Sequence, residues 1–240
     1  MEIREMFALG KHEADRYLSG ITFFREIEKA DPWQYELLLS KSKLYSYKPG
    51  EMLWRAGDQG IGFFFVSRGS LLVYAGETSM IASKLTDAEK ISHVGPGEIV
   101  GDTAMFLGNQ RFSTIVADPA SKEIVLVGID LQRLGLDGVG GLNLPTKLVL
   151  FRMIVNNIRW KLELARMQVP NSTMAQILRK VPIFRGQKGT KDELKCLQAQ
   201  GMVLAKILVS WNKIPTLKDA TTPNFKEAPS IDPSILTAAT

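Results

Sequence analysis

Residues 99–117 read IVGDTAMFLGNQRFSTIVA. Ile99 and Val100 lead into a turn at Gly101, where the missing side chain lets the backbone approach a bound group closely. Asp102 offers a carboxylate, and Thr103-Ala104-Met105-Phe106 predicts one short helical turn. Arg111 returns just ahead of Phe112–Ala117, a β-branched run with strand character. The first N–H groups of a helical turn lack intrahelical partners and favour an anion. An arginine fork matches the oxygens of a phosphate. With a carboxylate that suits a sugar hydroxyl, the stretch has the parts of a seat for a small phosphate-bearing ligand.

Upstream of this stretch the chain alternates short apolar runs with glycine: LYSYKPGEMLWRAGD, GFFFVSRGSLLVYAGE, MIASKL and ISHVGPGEIVGD, with RFSTIVAD and KEIVLVGID following. The spacing of turn signals predicts a small antiparallel barrel or jelly roll over residues 42–144. Residues 1–41 predict N-terminal helices, including an amphipathic leading helix and a helix start at Asp31-Pro32. Beyond Gly140-Gly141, residues 145–169 predict a long helix opened by Pro145, about 33 Å if 22 residues are helical. Its apolar stripe is Leu148, Phe151, Val155, Ile158, Leu162 and Ala165. A small helical module follows at 170–214, then a Pro- and Thr-rich tail at 215–240, expected to be flexible. The expected class is therefore α+β: an antiparallel β jelly-roll barrel with N-terminal helices, a long helix after it and a helical C-terminal module. A faint internal echo is present, since Leu18-Ser-Gly-Ile21-Thr-Phe23-Phe24 and Leu178-Arg-Lys-Val181-Pro-Ile183-Phe184 share their spacing.

Residues 99–117 resemble the F-G-E-x-A-L-x(5)-R-x-A-T-V cassette of cyclic-nucleotide-binding domains, as found in protein kinase regulatory subunits and catabolite activators, here of bacterial type. Gly101, Ala104, Arg111 and Thr114 fall on the family positions with its ten-residue step from glycine to arginine. Residues 47–69 carry a second family motif through Gly50, Glu51, Gly57, Asp58, Gly60, Phe64, Phe65, Val66 and Gly69. The resemblance covers residues 18–168. It implies a cyclic nucleotide ligand, cyclic AMP or cyclic GMP first and a cyclic dinucleotide next. It also implies that Arg111 holds the phosphate and Asp102 the ribose, with Val100, Gly101, Thr103, Ala104, Phe112, Ser113 and Thr114 lining the seat. Glu51, Asp58 and Gly69 are implied to be structural. Base contacts are implied from the long helix, with Asn156, Asn157 and Trp160 as candidates. Three departures stand out: the family glutamate is Asp102, the small residue after the arginine is Phe112, and the stretch from Ile81 to Ser92 differs from a plain hairpin.

Bulk composition narrows the remaining classes. One cysteine, Cys196, excludes a disulfide framework, and His12 and His93 have no ligand cluster around them, so no metal site is expected. No nucleophile elbow or Walker loop occurs, and a regulator rather than an enzyme is expected. The charged N-terminus lacks a signal-peptide core and no apolar run reaches bilayer length, so a cytoplasmic protein without membrane insertion is expected. Residues 1–159 carry 18 Lys+Arg against 19 Asp+Glu, whereas residues 160–240 carry 12 against 6. The basic C-terminal module is expected to meet a protein partner, and the long helix to form a homodimer through residues 145–169. One alternative is a transcription regulator whose DNA-binding module is atypical, a helix–glycine–helix around Gly201 with no winged helix-turn-helix pattern. A scaffold with a degenerate pocket is the other.

Overall fold

A computed structural model describes residues 1–60, 62–75, 90–130, 141–168 and 174–212. The expected MIASKL strand and the 215–240 tail lie outside the described residues. Two compact units are present, Met1–Thr146 and Lys147–Thr240.

The first unit opens on strand β1 (Glu2–Glu5), followed by helices α1 (Lys11–Leu18), α2 (Thr22–Ala30) and α3 (Pro32–Ser40). Strands β2 (Ser42–Tyr47), β3 (Met52–Trp54), β4 (Phe63–Arg68), β5 (Leu71–Ala75), β6 (Lys90–Val94), β7 (Ile99–Val100), β8 (Ser113–Ala117) and β9 (Ile124–Ile129) follow. They form two antiparallel sheets, ordered β1-β2-β9-β4-β7 and β3-β8-β5-β6. One apolar core joins the two sheets: Val66, Val100, Ile124 and Leu126 from the first meet Leu71, Val94, Ile115 and Ala117 from the second. This is the expected α+β, antiparallel jelly-roll architecture with flanking helices.

The leading residues depart from the helical expectation. Glu2–Glu5 pair antiparallel with β2 in the register Glu2↔Ser46 to Glu5↔Lys43. All four are exposed. The edge of β2 specifies that strand, not the strand's own pattern, because β preference depends on the neighbour offered. Asp31 and Pro32 do start a helix: Asp31 Oδ1 accepts the Gln34 N–H at 3.1 Å, a side-chain cap on α3.

Three phenylalanines in a row on β4 divide between its faces. Phe65 packs with the helices, 5.7 Å from Phe23 and 5.6 Å from Phe24 between ring centres, and Phe63 lies 5.5 Å from Phe65. Phe64 alternates to the other face, beside Trp54 at 5.4 Å and Tyr45 at 5.2 Å. One strand thus anchors the helical layer and also lines the interior.

Turns between strands repeat one device. In Lys48–Glu51, Arg55–Asp58 and Gly95–Glu98 the closing carboxylate accepts the N–H of the first residue. The third residue of each is a glycine at positive φ: Gly50 at 78°, Gly57 at 95° and Gly97 at 86°, as a type II turn requires.

Helix α4 (Leu144–Gln168) is capped at its start by Asn143, whose Oδ1 accepts the Thr146 N–H at 3.0 Å. In the second unit α5 (Met174–Leu178) and α6 (Lys191–Asn212) follow. Helix α6 runs uninterrupted through Gly201, so the helix–glycine–helix shape expected there is absent. Val203, Leu204, Ala205, Ile207, Leu208 and Val209 are all buried. Such burial outweighs the roughly 1 kcal/mol cost of a mid-helix glycine. The α4 stripe proposed for pairing is also covered: Leu148, Phe151, Val155, Ile158 and Leu162 are buried within the chain. Trp160, Leu164 and Met167 form the exposed stripe of that helix instead.

Candidate ligand site around Arg111

Gly101 sits at φ 80° and begins a 3-10 helix over Asp102–Phe106. That is the short turn expected at Thr103–Phe106, entered one residue earlier. The chain then returns through Asn109, at φ 64°, to Arg111. Main-chain bonds clamp this return against the 55–60 turn: Arg111 N–H donates to the Asp58 carbonyl at 2.8 Å, and Gly57 N–H to the Arg111 carbonyl at 2.8 Å. Gly60 N–H donates to the Asn109 carbonyl at 2.8 Å. Thr114, fully buried, accepts the Ala56 N–H at 3.1 Å and fixes the same turn.

Arg111 is 5% exposed, an uncommon state for a guanidinium. Its Nη1 donates to the Gly62 carbonyl at 3.0 Å and to the Gly101 carbonyl at 3.3 Å. The guanidinium stacks over Trp54, 4.4 Å from the ring centre, with Phe64 at 5.7 Å. A Cβ at Gly60 or Gly101 would run into it, so both glycines are needed for close approach. Burial pulls the Arg111 pKa down to about 10, against the opposing charges of Asp102 and Asp58. A cation held this far from water favours a further anion beside it.

Of the expected site residues, Gly101 and Arg111 are in direct contact. Asp102 is 1% exposed at the start of the 3-10 helix and acts electrostatically on Arg111. Ala104 is also buried, while Thr103, Phe112 and Ser113 are half-buried. Val100 gives its side chain to the core, leaving its main chain for any ligand. Asn156, Asn157 and Trp160 lie on α4 in the second unit, Asn156 exposed and Trp160 54% exposed. Trp54, Gly60 and Gly62 were not singled out from sequence as site residues. Their signal is present in MLWRAGDQGIG, where an aromatic residue and three glycines surround the turn that receives Arg111. Among the described residues no cluster of His, Cys, Asp or Glu could hold a metal ion.

Residues 44–134 match the family model of the cyclic nucleotide-binding domain. Among solved structures, a putative cyclic nucleotide-binding protein from Geobacter metallireducens GS-15 is 16% identical, with a TM-score of 0.47 over 64% of this chain and 99% of that one. A chain described as Sp-2Cl-cAMPS bound to PKAR CBD2 is 20% identical, with a TM-score of 0.44 over 69% of this chain and 99% of that one. The regulatory domain of Toxoplasma gondii PKA with cAMP is 16% identical, with a TM-score of 0.37 over 51% of this chain and 46% of that one. No curated protein matches the chain.

Proposed function

We propose that the chain is a regulator that senses a cyclic nucleotide, cyclic AMP or cyclic GMP before a cyclic dinucleotide, at the site around Arg111. The buried guanidinium of Arg111 carries this reading. It is held by two carbonyls and an aromatic face ten residues along the chain from Gly101. A cyclic phosphate brings one negative charge, which would offset the desolvated cation. Asp102 takes the ribose hydroxyl, and main-chain N–H groups of the 3-10 helix take a phosphate oxygen. Nothing in this arrangement calls for bond-making chemistry, so its role is binding.

Ligand binding is passed through α4 to a homodimer contact and to a protein partner of the basic second unit. Because the inner α4 stripe is covered, the pairing face is Trp160, Leu164 and Met167, three apolar residues at helical spacing. Asn156 and Asn157 supply base contacts in this reading.

A thermal-shift panel of cyclic AMP, cyclic GMP and cyclic di-GMP on the full chain tests the ligand. A ligand bound only to the native state stabilises it by about 2.7 kcal/mol at a hundred times its Kd. A rise in Tm with one of them, lost in Arg111→Ala, supports the reading. Indifference to all three would sink it and leave the degenerate scaffold.

A further inference from the structure

The basic charge of the second unit is concentrated in one connector. No acidic residue occurs between Glu163 and Asp192, and residues 179–191, RKVPIFRGQKGTK, hold Arg179, Lys180, Arg185, Lys188 and Lys191. All five cations are exposed. The connector is nevertheless firmly built. Val181 is 3% exposed, and the Gln200 side-chain amide donates to the Pro182 carbonyl. Thr190 Oγ1 donates to the Gln187 carbonyl at 2.9 Å, and Gly189 N–H donates to Glu193 Oε2 at 2.6 Å. Between these anchors Ile183 is 66% exposed. Its counterpart in the echoed N-terminal segment, Phe23, is buried against Phe65. The neighbouring Phe184 ring folds over Gly186, where a Cβ would meet it.

An ordered loop that offers one bare aliphatic side chain among five cations suits a particular kind of surface. Single-stranded nucleic acid is gripped by exposed aromatic faces, and here the one aromatic ring is spent on Gly186. Protein interfaces centre on aromatic or arginine anchors seated in pockets, with lysine depleted from their cores. An anionic phospholipid surface attracts each nearby Lys or Arg and takes an apolar residue at the acyl boundary. We propose that residues 179–191 seat the protein peripherally on an anionic phospholipid surface, with the cations at the headgroups and Ile183 below them. This goes beyond the nucleotide reading and does not depend on it.

The test is co-sedimentation of the full chain, without nucleotide, with phosphatidylcholine vesicles containing or lacking phosphatidylserine. Binding is expected only with phosphatidylserine. Arg185→Gln with Lys188→Gln should weaken it about 25-fold, since each cation near the surface is worth about fivefold. Ile183→Ser should weaken it about tenfold with no change of charge. Both variants alter exposed side chains, and a native Tm confirms that they fold. Arg111→Ala should bind vesicles like the wild type, which separates this result from the nucleotide site. No binding to either vesicle, equal binding to both, or phosphatidylserine binding indifferent to Ile183→Ser would overturn the proposal. So would duplex DNA that competes the vesicles away from wild type and Ile183→Ser alike, because charge alone would then explain the contact.

Discussion

Arg111 and Gly101 touch across a ten-residue excursion of chain, and each constrains what the other position can be. A side chain at Gly101 faces two penalties, the left-handed φ of 80° and the guanidinium behind it. The first alone costs roughly 1–2 kcal/mol for an L-residue. Gly101→Ala should therefore lower the unfolding free energy measured in urea by at least that amount and weaken the response to nucleotide, because Arg111 is displaced. Gly60→Ala has no positive-φ penalty to add, so its effect on ligand response should exceed its effect on stability. Arg111→Lys keeps the charge but loses the planar fork and the stacking on Trp54. Its nucleotide-induced Tm rise should fall well below that of wild type. At this scale the sequence was informative for the family positions and silent on Trp54. The tryptophan lies 57 residues from Arg111, as their numbers show. Nothing in local spacing links the two until β3 and β8 pair in the register Met52↔Val116 and Trp54↔Ile115.

Elements show the same division between local and tertiary causes. The strand–glycine rhythm, the cap at Asp31 and the 3-10 turn were legible because each is set by residues within four positions of itself. Strand β1 and the unbroken α6 were not, because a neighbouring strand edge and burial on several faces decided them. The start of α6 carries a further consequence. Thr190 Oγ1 accepts the Glu193 N–H at 3.2 Å, and the Glu193 carboxylate reaches back to Gly189 and across to Arg152 at 2.6 Å. It is a variant of the capping box, in which the carboxylate serves the residue before the cap. Burial pushes the Glu193 pKa up, but the Gly189 N–H and the Arg152 guanidinium outweigh it, and the net value lies below the ordinary 4.5. A carboxyl depressed in the folded state contributes stability above its unfolded pKa and loses it as pH falls through the folded one. Acid titration followed by circular dichroism should therefore show wild type losing stability below about pH 4.5 more steeply than Glu193→Gln. At neutral pH the same variant should be roughly 1–3 kcal/mol less stable, from the lost charge-assisted bonds.

Across the whole molecule, charge separates the two units. Residues 1–146 hold 15 Lys+Arg and 19 Asp+Glu, and residues 147–240 hold 15 and 6. The proposed phosphate seat thus belongs to the acidic unit, and its affinity for an anion would rest on the local field of Arg111 rather than on net charge. Added salt should accordingly screen nucleotide binding only weakly, because a buried charge is less screened than exposed ones. If α4 pairs two copies, Trp160→Glu should convert a dimer to a monomer in size-exclusion chromatography with light scattering, leaving the thermal response to nucleotide in place. A mass unchanged by that substitution would remove α4 as the pairing face. The most direct measurement is isothermal titration of the full chain with cyclic AMP and with cyclic GMP, beside Arg111→Ala. The account predicts saturable heat from at least one nucleotide with wild type and none with Arg111→Ala. Absence of heat from both with wild type, or the same isotherm from the variant, would contradict it.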